Sequence, residues 1–182
     1  MTGGKSVEAG LAGKEGFAGL PLAVGLKTSS TQVLMQVAGS AYRIGATDFL
    51  DVLSRSPELA KSLNRYAQNL GLQAVHVAAC NRLHEVDERL ARWLLMSQDH
   101  LGGDVVRLTQ EFLAHMLGTR RASVTVAAGI LQKAGLITYF RGNVKIDDRA
   151  GLEAAACECY AAINQQSEKW EEEAKRLRTP TG

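Results

Sequence analysis

Apolar residues recur at steps of three and four along most of the chain after residue 47, and this spacing predicts a mainly helical protein. The first helix is predicted over residues 47–53, with Thr47 as its N-cap. A longer helix is predicted to begin at Pro57, because proline suits the first helical turn. Along it, positions at alternating steps of four and three form a seam, the spacing of helices that pair. The seam consists of Leu59, Leu63, Tyr66, Leu70, Gln73, Val77 and Cys80.

This seam predicts that the long helix, residues 56–82, pairs in parallel with the same helix of a second copy. Gly71 weakens the helix, and Gln73 interrupts the seam with a polar side chain. The alternative is an amphipathic helix that packs on its own domain.

The pattern before the helices predicts β-structure instead. Strands are predicted over residues 32–37 and 41–44, with Gly39 and Ser40 as a turn. So few strands cannot close a β-domain alone, so this segment is expected to need a partner surface or to be part of a larger β-domain. Residues 1–16, rich in Gly, Ala and Lys, are predicted to be flexible.

A further helix is predicted over residues 85–98. Two acid-to-base pairs four residues apart, Glu85 with Arg89 and Glu88 with Arg92, are expected to support it. Residues 101–104 then form a turn.

The segment from residue 108 to 146 predicts a helix-turn-helix followed by a hairpin wing. Its two short helices are joined at Gly118, and the second opens with Arg120 and Arg121. Gly135 ends the second helix, and a strand, a tight turn and a strand follow. Asp148 then caps a last helix that is predicted to run to residue 160, before a charged tail that frays at residues 179–182.

Charge changes this picture locally. The net charge of the 182 residues is only +2, yet residues 104–146 hold six basic side chains against two acidic ones. Such an asymmetry is typical of a nucleic-acid-binding surface. The 46% hydrophobic and 22% charged shares fit one or two small globular domains.

The sequence contains no motif that predicts an enzyme or a bound cofactor. A phosphate loop, a zinc-protease motif and a nucleophile elbow are all absent from the sequence. Cys157 and Cys159 offer only two metal ligands, with His115 as the nearest help, so no metal site is expected. Cys80 is expected to be a buried thiol. Sparse cysteines, no apolar run near 18 residues and no secretory start favour the cytoplasm.

Several motifs together resemble the Crp–Fnr family of bacterial transcription regulators, from about residue 16 to residue 160. The order of parts is similar: the end of a β-roll, a long helix, a linking helix and a winged helix-turn-helix. The motifs that carry the resemblance are Cys80-Asn81-Arg82-Leu83-His84 and the segments 88–95, 108–114, 120–124 and 133–137.

The resemblance implies an α+β, mainly helical fold with four parts. These are the remnant of a cyclic-nucleotide-binding-like sensor β-roll (1–55), a dimerisation helix (56–82), a winged helix-turn-helix DNA-binding domain (83–160) and a charged tail (161–182). It also implies a homodimer that reads a palindromic operator in double-stranded DNA, with recognition helices about 34 Å apart. RNA polymerase is a further candidate partner, and the effector is unknown.

The sequence departs from the family pattern at its effector sites. Family members that bind cyclic nucleotide hold it with a Glu and an Arg-Ser pair, where this chain has Gly19-Leu20-Pro21 and Ser29-Ser30. No cysteine precedes Cys80, although iron–sulfur members use an N-terminal cysteine group. Neither effector is therefore expected. Ala122 replaces the family's Glu in the recognition helix, so a different operator is expected.

The expected DNA contacts follow from position and chemistry. Arg121 is expected to read a base, with a phosphate contact as the alternative. Arg120 is expected to meet the backbone. The other candidates are Ser123 and Thr125 on the recognition helix, Thr109 at the first motif helix, and Arg141 and Lys145 on the wing. Their alternatives are a plain helix cap, a bond to their own helix or solvated charge.

The sequence thus predicts a homodimeric, sequence-specific DNA-binding transcription regulator without a recognisable cyclic-nucleotide site. One alternative is a protein-interaction or heterodimer module built on a winged-helix scaffold. Another is a small-molecule sensor that uses the β-like segment and the dimer helix.

Overall fold

The computed structural model describes residues 7–103 and 105–178, and within them the fold is α+β and mainly helical, as predicted. None of the described helices has the length and apolar character needed to cross a bilayer. The elements in chain order are α1 (Leu20–Ala23), α2 (Ala46–Arg55), α3 (Pro57–Leu83), α4 (Val86–Leu101), β1 (Val105–Arg107), α5 (Gln110–Met116), α6 (Arg121–Lys133), β2 (Ile137–Phe140), β3 (Asn143–Ile146), α7 (Arg149–Ala155) and α8 (Cys159–Arg178).

The chain divides into two compact units, and the division falls within α3. Residues 14–71 form one unit, and the segments on either side of it form the other, which we call the C-terminal unit.

The unit of residues 14–71 contains α1 and α2 and no strand. The strands predicted at 32–37 and 41–44 are therefore wrong: this stretch is irregular and almost entirely exposed. A strand forms only where a neighbour takes up its backbone hydrogen bonds, and no described segment pairs with this one.

Phe17 stacks on Phe49 with ring centroids 5.1 Å apart. Gly45, not Thr47, precedes α2, so the predicted Thr47 cap is also wrong.

A three-stranded sheet completes the C-terminal unit. β3 is its central strand and pairs in antiparallel fashion with β1 on one side and β2 on the other. The turn between β2 and β3 places Arg141 at φ 48° and Gly142 at φ 77°, the left-handed pair that a two-residue hairpin requires. The wing is thus formed as predicted, whereas β1 was not expected from the sequence.

The core of this unit surrounds α4, which packs against α6, α7, α8 and β1. Trp93 is fully buried, and its indole Nε1 donates a hydrogen bond of 2.9 Å to the carboxylate of Glu8. Leu11 is also buried, and its backbone N–H donates to Gln73. The predicted flexibility is therefore wrong at Glu8 and Leu11, which are buried, because Glu8 supplies an acceptor for a buried indole. Residues 1–6, also predicted to be flexible, lie outside the described residues.

The start of α4 differs from the prediction. Glu85 and Glu88 form a capping box, in which each side chain accepts a hydrogen bond from the backbone N–H of the other residue. Arg89 and Arg92 are buried instead of paired with them. The helix terminus, with its unsatisfied N–H groups, takes the two carboxylates that the sequence assigned to ion pairs.

The C-terminal helical region consists of two helices rather than the one predicted to end at residue 160. Asp148 caps α7 as expected, by accepting from the N–H of Gly151, but the backbone turns extended at Ala156. Arg149 then joins three elements, through hydrogen bonds to Asp99 on α4 and to the Tyr160 hydroxyl on α8. The turn predicted over residues 101–104 begins one residue later, because Leu101 is the last residue of α4 and Gly102 is its left-handed C-cap. Asp104 and the tail residues 179–182, predicted to be frayed, lie outside the described residues.

We expect Leu113→Ala to lower the free energy of unfolding by about 2–5 kcal/mol, because Leu113 is fully buried and the substitution leaves a cavity. Urea titration followed by tryptophan fluorescence measures this, since Trp93 lies in the same core. The control is Leu101→Ala, at a side chain 41% exposed, which should change stability by less than about 0.5 kcal/mol. Equal losses from both variants would contradict the described core.

Candidate functional site

The two helices of the motif, α5 and α6, meet across a tight turn. Gly118 has φ 60°, a left-handed conformation that side chains rarely adopt, and a Cβ there would lie 3.0 Å from a methyl carbon of Val7. Arg120 is the N-cap residue of α6. The turn thus sets where the second helix begins, with Arg120 and Arg121 at its exposed amino end.

One face of α6 is buried and the other is open to solvent. Val124, Ala127, Ala128 and Leu131 lie in the core. The opposite face presents Arg121, Thr125, Gly129 and two apolar side chains, Val126 at 64% and Ile130 at 48% exposed. In the described part of the chain, neither Arg120 nor Arg121 forms an ion pair with a carboxylate. Uncompensated positive charge therefore stands at one end of an exposed helix face.

The Thr125 side chain bonds to other residues of the helix-turn-helix. Its hydroxyl lies 2.8 Å from Oε1 of Gln110 on α5 and 3.1 Å from the carbonyl oxygen of Arg121. The sequence offered a DNA contact or a bond to the helix's own backbone, and the described contacts include the second. Gln110, which the sequence analysis did not single out, links the two helices of the motif through this contact.

Thr109 is the N-cap of α5, as predicted. Its hydroxyl oxygen accepts a hydrogen bond of 3.1 Å from the backbone N–H of Phe112. The hydroxyl hydrogen is not needed for this cap and can point outward. Ser123 is half-buried near the start of α6.

The two basic residues of the wing differ in their surroundings. The Arg141 guanidinium lies over the Phe140 ring, 5.0 Å from its centroid, and is otherwise exposed. Lys145 forms an ion pair of 2.7 Å with Asp147. Hydrogen bonds from Lys145 and Thr138 hold the pKa of the Asp147 carboxyl below its usual range. Lys145 is therefore charge-compensated, whereas Arg141 is not.

The seam of α3 faces inward over much of its length. Leu63, Val77 and Cys80 are buried within the single chain, and Leu59, Tyr66 and Leu70 are half-buried. The exposed face of α3 carries other residues, among them Gly71, Val75, Ala78 and Ala79. Cys80 packs against residues of its own subunit, so its side chain is not available to a second copy.

A second group of side chains meets where α3 ends and α8 begins. We call it the thiol cluster: Cys80, His84, Cys157 and Cys159. Its four potential ligand atoms all lie within 4.8 Å of one another. The Sγ atoms of Cys80 and Cys157 are 3.4 Å apart, and Sγ of Cys159 is 3.8 Å from Nδ1 of His84. The three thiols are buried and form no disulfide with one another.

The electrostatics of the thiol cluster favour one thiolate. A hydrogen bond from Cys157 and the positive charge of Arg92 lower the pKa of the Cys80 thiol to about 5, against the opposing effect of burial. The same hydrogen bond and burial raise the pKa of Cys157. The interaction with Cys80 also raises the pKa of His84, with a smaller contribution from Glu158.

This cluster was not predicted, because Cys80 and Cys157 are 77 residues apart in the sequence. The sequence predicts Cys157 and Cys159 as an isolated pair with His115 as their nearest help. His115 lies instead on α5, 3.7 Å from Glu111. The signal in the sequence was the four-residue spacing of Cys80 and His84, together with the Cys-x-Cys segment. Cys80 lies in the last turn of α3 and His84 directly follows the helix, with its backbone N–H bonded to the carbonyl oxygen of Cys80.

The helix-turn-helix followed by a hairpin wing defines the C-terminal unit as a winged helix-turn-helix domain. A family model described as the Crp-like helix-turn-helix domain matches residues 88–155. No curated protein matches the chain.

Solved structures of transcription regulators are similar to part of this chain. A Crp/Fnr-family transcriptional regulator from Thermus thermophilus is 26% identical, with a TM-score of 0.51 over 56% of this chain and 55% of that one. FixK2 from Bradyrhizobium japonicum is 15% identical, with a TM-score of 0.57 over 63% and 60% of the two chains, which shows a shared fold.

Residues 88–155 therefore match the Crp-like helix-turn-helix domain, and the predicted resemblance to Crp–Fnr transcription regulators is confirmed for this part of the chain. The chain spans about half the length of the solved regulators that it matches.

Proposed function

We propose that this protein is a sequence-specific DNA-binding transcription regulator that acts as a homodimer. The observation that carries the proposal is the exposed, unpaired Arg120–Arg121 end of α6, on a helix whose outward face is open. In helix-turn-helix proteins this end of the second helix enters the major groove. The solved regulator from Thermus thermophilus supports the same assignment by likeness.

The proposed contacts divide by chemistry. Arg121 reads a base edge, because a guanidinium can donate two hydrogen bonds to a guanine. Arg120, Arg141 and the Thr109 hydroxyl contact backbone phosphates, which fix register without reading sequence. Val126 adds an exposed apolar contact suited to a thymine methyl group. Ser123 is a weaker candidate because it is half-buried, and Thr125 because its hydroxyl is already engaged.

Lys145 is proposed to contact a phosphate only if that phosphate displaces the Asp147 carboxylate from its ion pair with Lys145. A phosphate near Lys145 also meets the Asp147 carboxylate, which repels it. The wing therefore contributes mainly through Arg141.

The proposed dimer uses the exposed face of α3 rather than the seam. Val75 is 68% exposed, and Gly71, Ala78 and Ala79 on the same face are small enough to let a second helix approach closely. Burial of Leu63 and Val77 within one chain leaves these seam positions little surface for a partner. A two-fold dimer through α3 would present two recognition helices to a palindromic site.

The proposed regulator does not depend on cyclic nucleotide. Gly19-Leu20-Pro21 provides no carboxylate for a ribose, and the hydroxyl of Ser29 bonds to Thr31. RNA polymerase is the partner through which a bound dimer would act on transcription.

We expect Arg121→Ala to remove sequence selection at one base pair per half-site, at about 1–3 kcal/mol, which is about 5–150-fold in affinity. Selection of bound fragments from random duplexes, followed by titration at several salt concentrations, measures this. The control Arg82→Ala removes an exposed arginine at the end of α3 and should leave the preference unchanged. A parent protein that binds no duplex at low salt would refute the proposed function and favour the protein-interaction module.

We expect Asp147→Asn to tighten DNA binding and to steepen its salt dependence by about one counterion per Lys145 that reaches a phosphate. The substitution removes the carboxylate that compensates Lys145. Adding Lys145→Ala to this variant should abolish the gain. An unchanged salt dependence in Asp147→Asn would show that Lys145 does not reach the DNA.

We expect Val75→Lys to convert the dimer to a monomer and to weaken operator binding, because two buried ammonium groups would face each other across the interface. Sedimentation velocity measures the oligomeric state. Leu101→Lys places the same charge at an exposed position on α4 and should remain dimeric. A dimeric Val75→Lys variant, or a monomeric parent, would rule out the proposed interface.

A further inference from the structure

The thiol cluster has the dimensions of a site for one metal ion. Zinc binds thiolate sulfur at about 2.3 Å, and a tetrahedron with that bond length places its ligand sulfurs about 3.8 Å apart. The observed Cys80–Cys157 separation of 3.4 Å and the Cys159–His84 separation of 3.8 Å both lie close to this value. The 4.8 Å limit on all pairs means that small side-chain movements bring the four atoms to one ion.

His84 is oriented as a metal ligand. Its Nδ1 faces the sulfur of Cys159, whereas its Nε2 lies 3.0 Å from the Glu158 carboxylate. An Nε2–H that donates to Glu158 leaves the Nδ1 lone pair free toward the thiols. A carboxylate behind a ligating histidine is the common outer partner in zinc sites, where it fixes the tautomer and the ring orientation.

The surroundings supply positive charge that lacks a counterion. Arg89 and Arg92 are buried beside the cluster, and no carboxylate of the described chain lies within ion-pair distance of either guanidinium. The Nε atoms of both have no hydrogen-bond partner among the described residues. Buried charges are normally compensated. One Zn²⁺ with three thiolates and a neutral imidazole carries a net charge of −1, which offsets part of this excess.

We propose that the thiol cluster is a structural Zn²⁺ site of the Cys₃His type. All four tetrahedral positions are filled by protein side chains, which leaves no open position for a substrate and distinguishes structural from catalytic zinc. The ion joins the end of α3 to the α7–α8 junction, where the backbone between Ala155 and Cys159 has left the helix. Its role is to fix α8 against the domain, and it is independent of the DNA-binding proposal.

The direct test uses the full chain, purified without chelators. Elemental analysis should give one zinc per chain, and X-ray absorption at the zinc edge should give three sulfur neighbours at about 2.3 Å and one nitrogen at about 2.0 Å. Removal of zinc should lower the melting temperature, and added Zn²⁺ should restore it. An apoprotein that fails to take up Zn²⁺, a shell of nitrogen and oxygen only, or iron with inorganic sulfide in place of zinc would each overturn the proposal.

Variants locate the ion. Cys157→Ser and His84→Ala should each weaken Zn²⁺ binding at least about 10–100-fold, measured in competition with a chromophoric chelator. Loss of a residue that only supports a metal ligand already has an effect of this size, and loss of a ligand should not have a smaller one. The matched control is His76→Ala, on α3 and eight residues before His84, which should bind Zn²⁺ as the parent does. Unchanged affinity in His84→Ala would overturn the assignment.

Because loss of a buried thiol can unfold the domain, Glu158→Ala provides a second, milder variant. The Glu158 side chain is 79% exposed, so its removal leaves the core intact. Its loss should weaken Zn²⁺ binding by about tenfold, the lower end for outer partners, because solvent replaces part of the interaction. Co²⁺ substitution gives the same comparison by its thiolate charge-transfer absorption. An affinity equal to that of the parent would show that His84 does not bind the ion through Nδ1.

Discussion

The burial of α4 is the constraint on which the C-terminal unit depends. Ten consecutive residues, from Arg89 to Gln98, are buried, so neighbours must cover every side of this helix. α6, α7, α8 and β1 supply that cover. A helix in this position must also find partners for its polar side chains. Arg89 donates to the carbonyl oxygen of Leu117, at the end of α5, and to the Asn81 side chain on α3.

These two arginines connect the two candidate sites of the molecule. Through Leu117, Arg89 contacts the turn that positions the recognition helix. The positive charge of Arg92 lowers the pKa of the Cys80 thiol, and Arg89 interacts electrostatically with the same thiol. A metal ion in the cluster would offset part of the charge of Arg89, the guanidinium that also contacts the end of α5. The wing is tied to the same body, because the Tyr139 hydroxyl donates to the carbonyl oxygen of Leu108.

Sequence reasoning succeeded where a local rule had a single outcome. Thr109 and Asp148 cap their helices, because a hydroxyl or carboxylate before an amphipathic run has few other uses. The hairpin at Arg141–Gly142 follows in the same way from turn chemistry. Prediction from the sequence failed where two partners competed for one side chain. Glu85 and Glu88 satisfy a helix terminus rather than Arg89 and Arg92. The strands predicted before residue 46 find no neighbour to pair with among residues 7–103 and 105–178.

The sequence by itself determined the long helix, the linking helix, the helix-turn-helix and the wing, since these depend on periodicity, caps and turns within short windows. Tertiary structure alone decided which face of α3 is exposed, that α4 buries two arginines, and that Cys80 and His84 meet Cys157 and Cys159. The physical reason is the distance along the sequence over which each feature is determined. Caps and turns involve residues a few positions apart, whereas Cys80 and Cys157 are 77 residues apart and meet only because α8 packs against the rest of the unit.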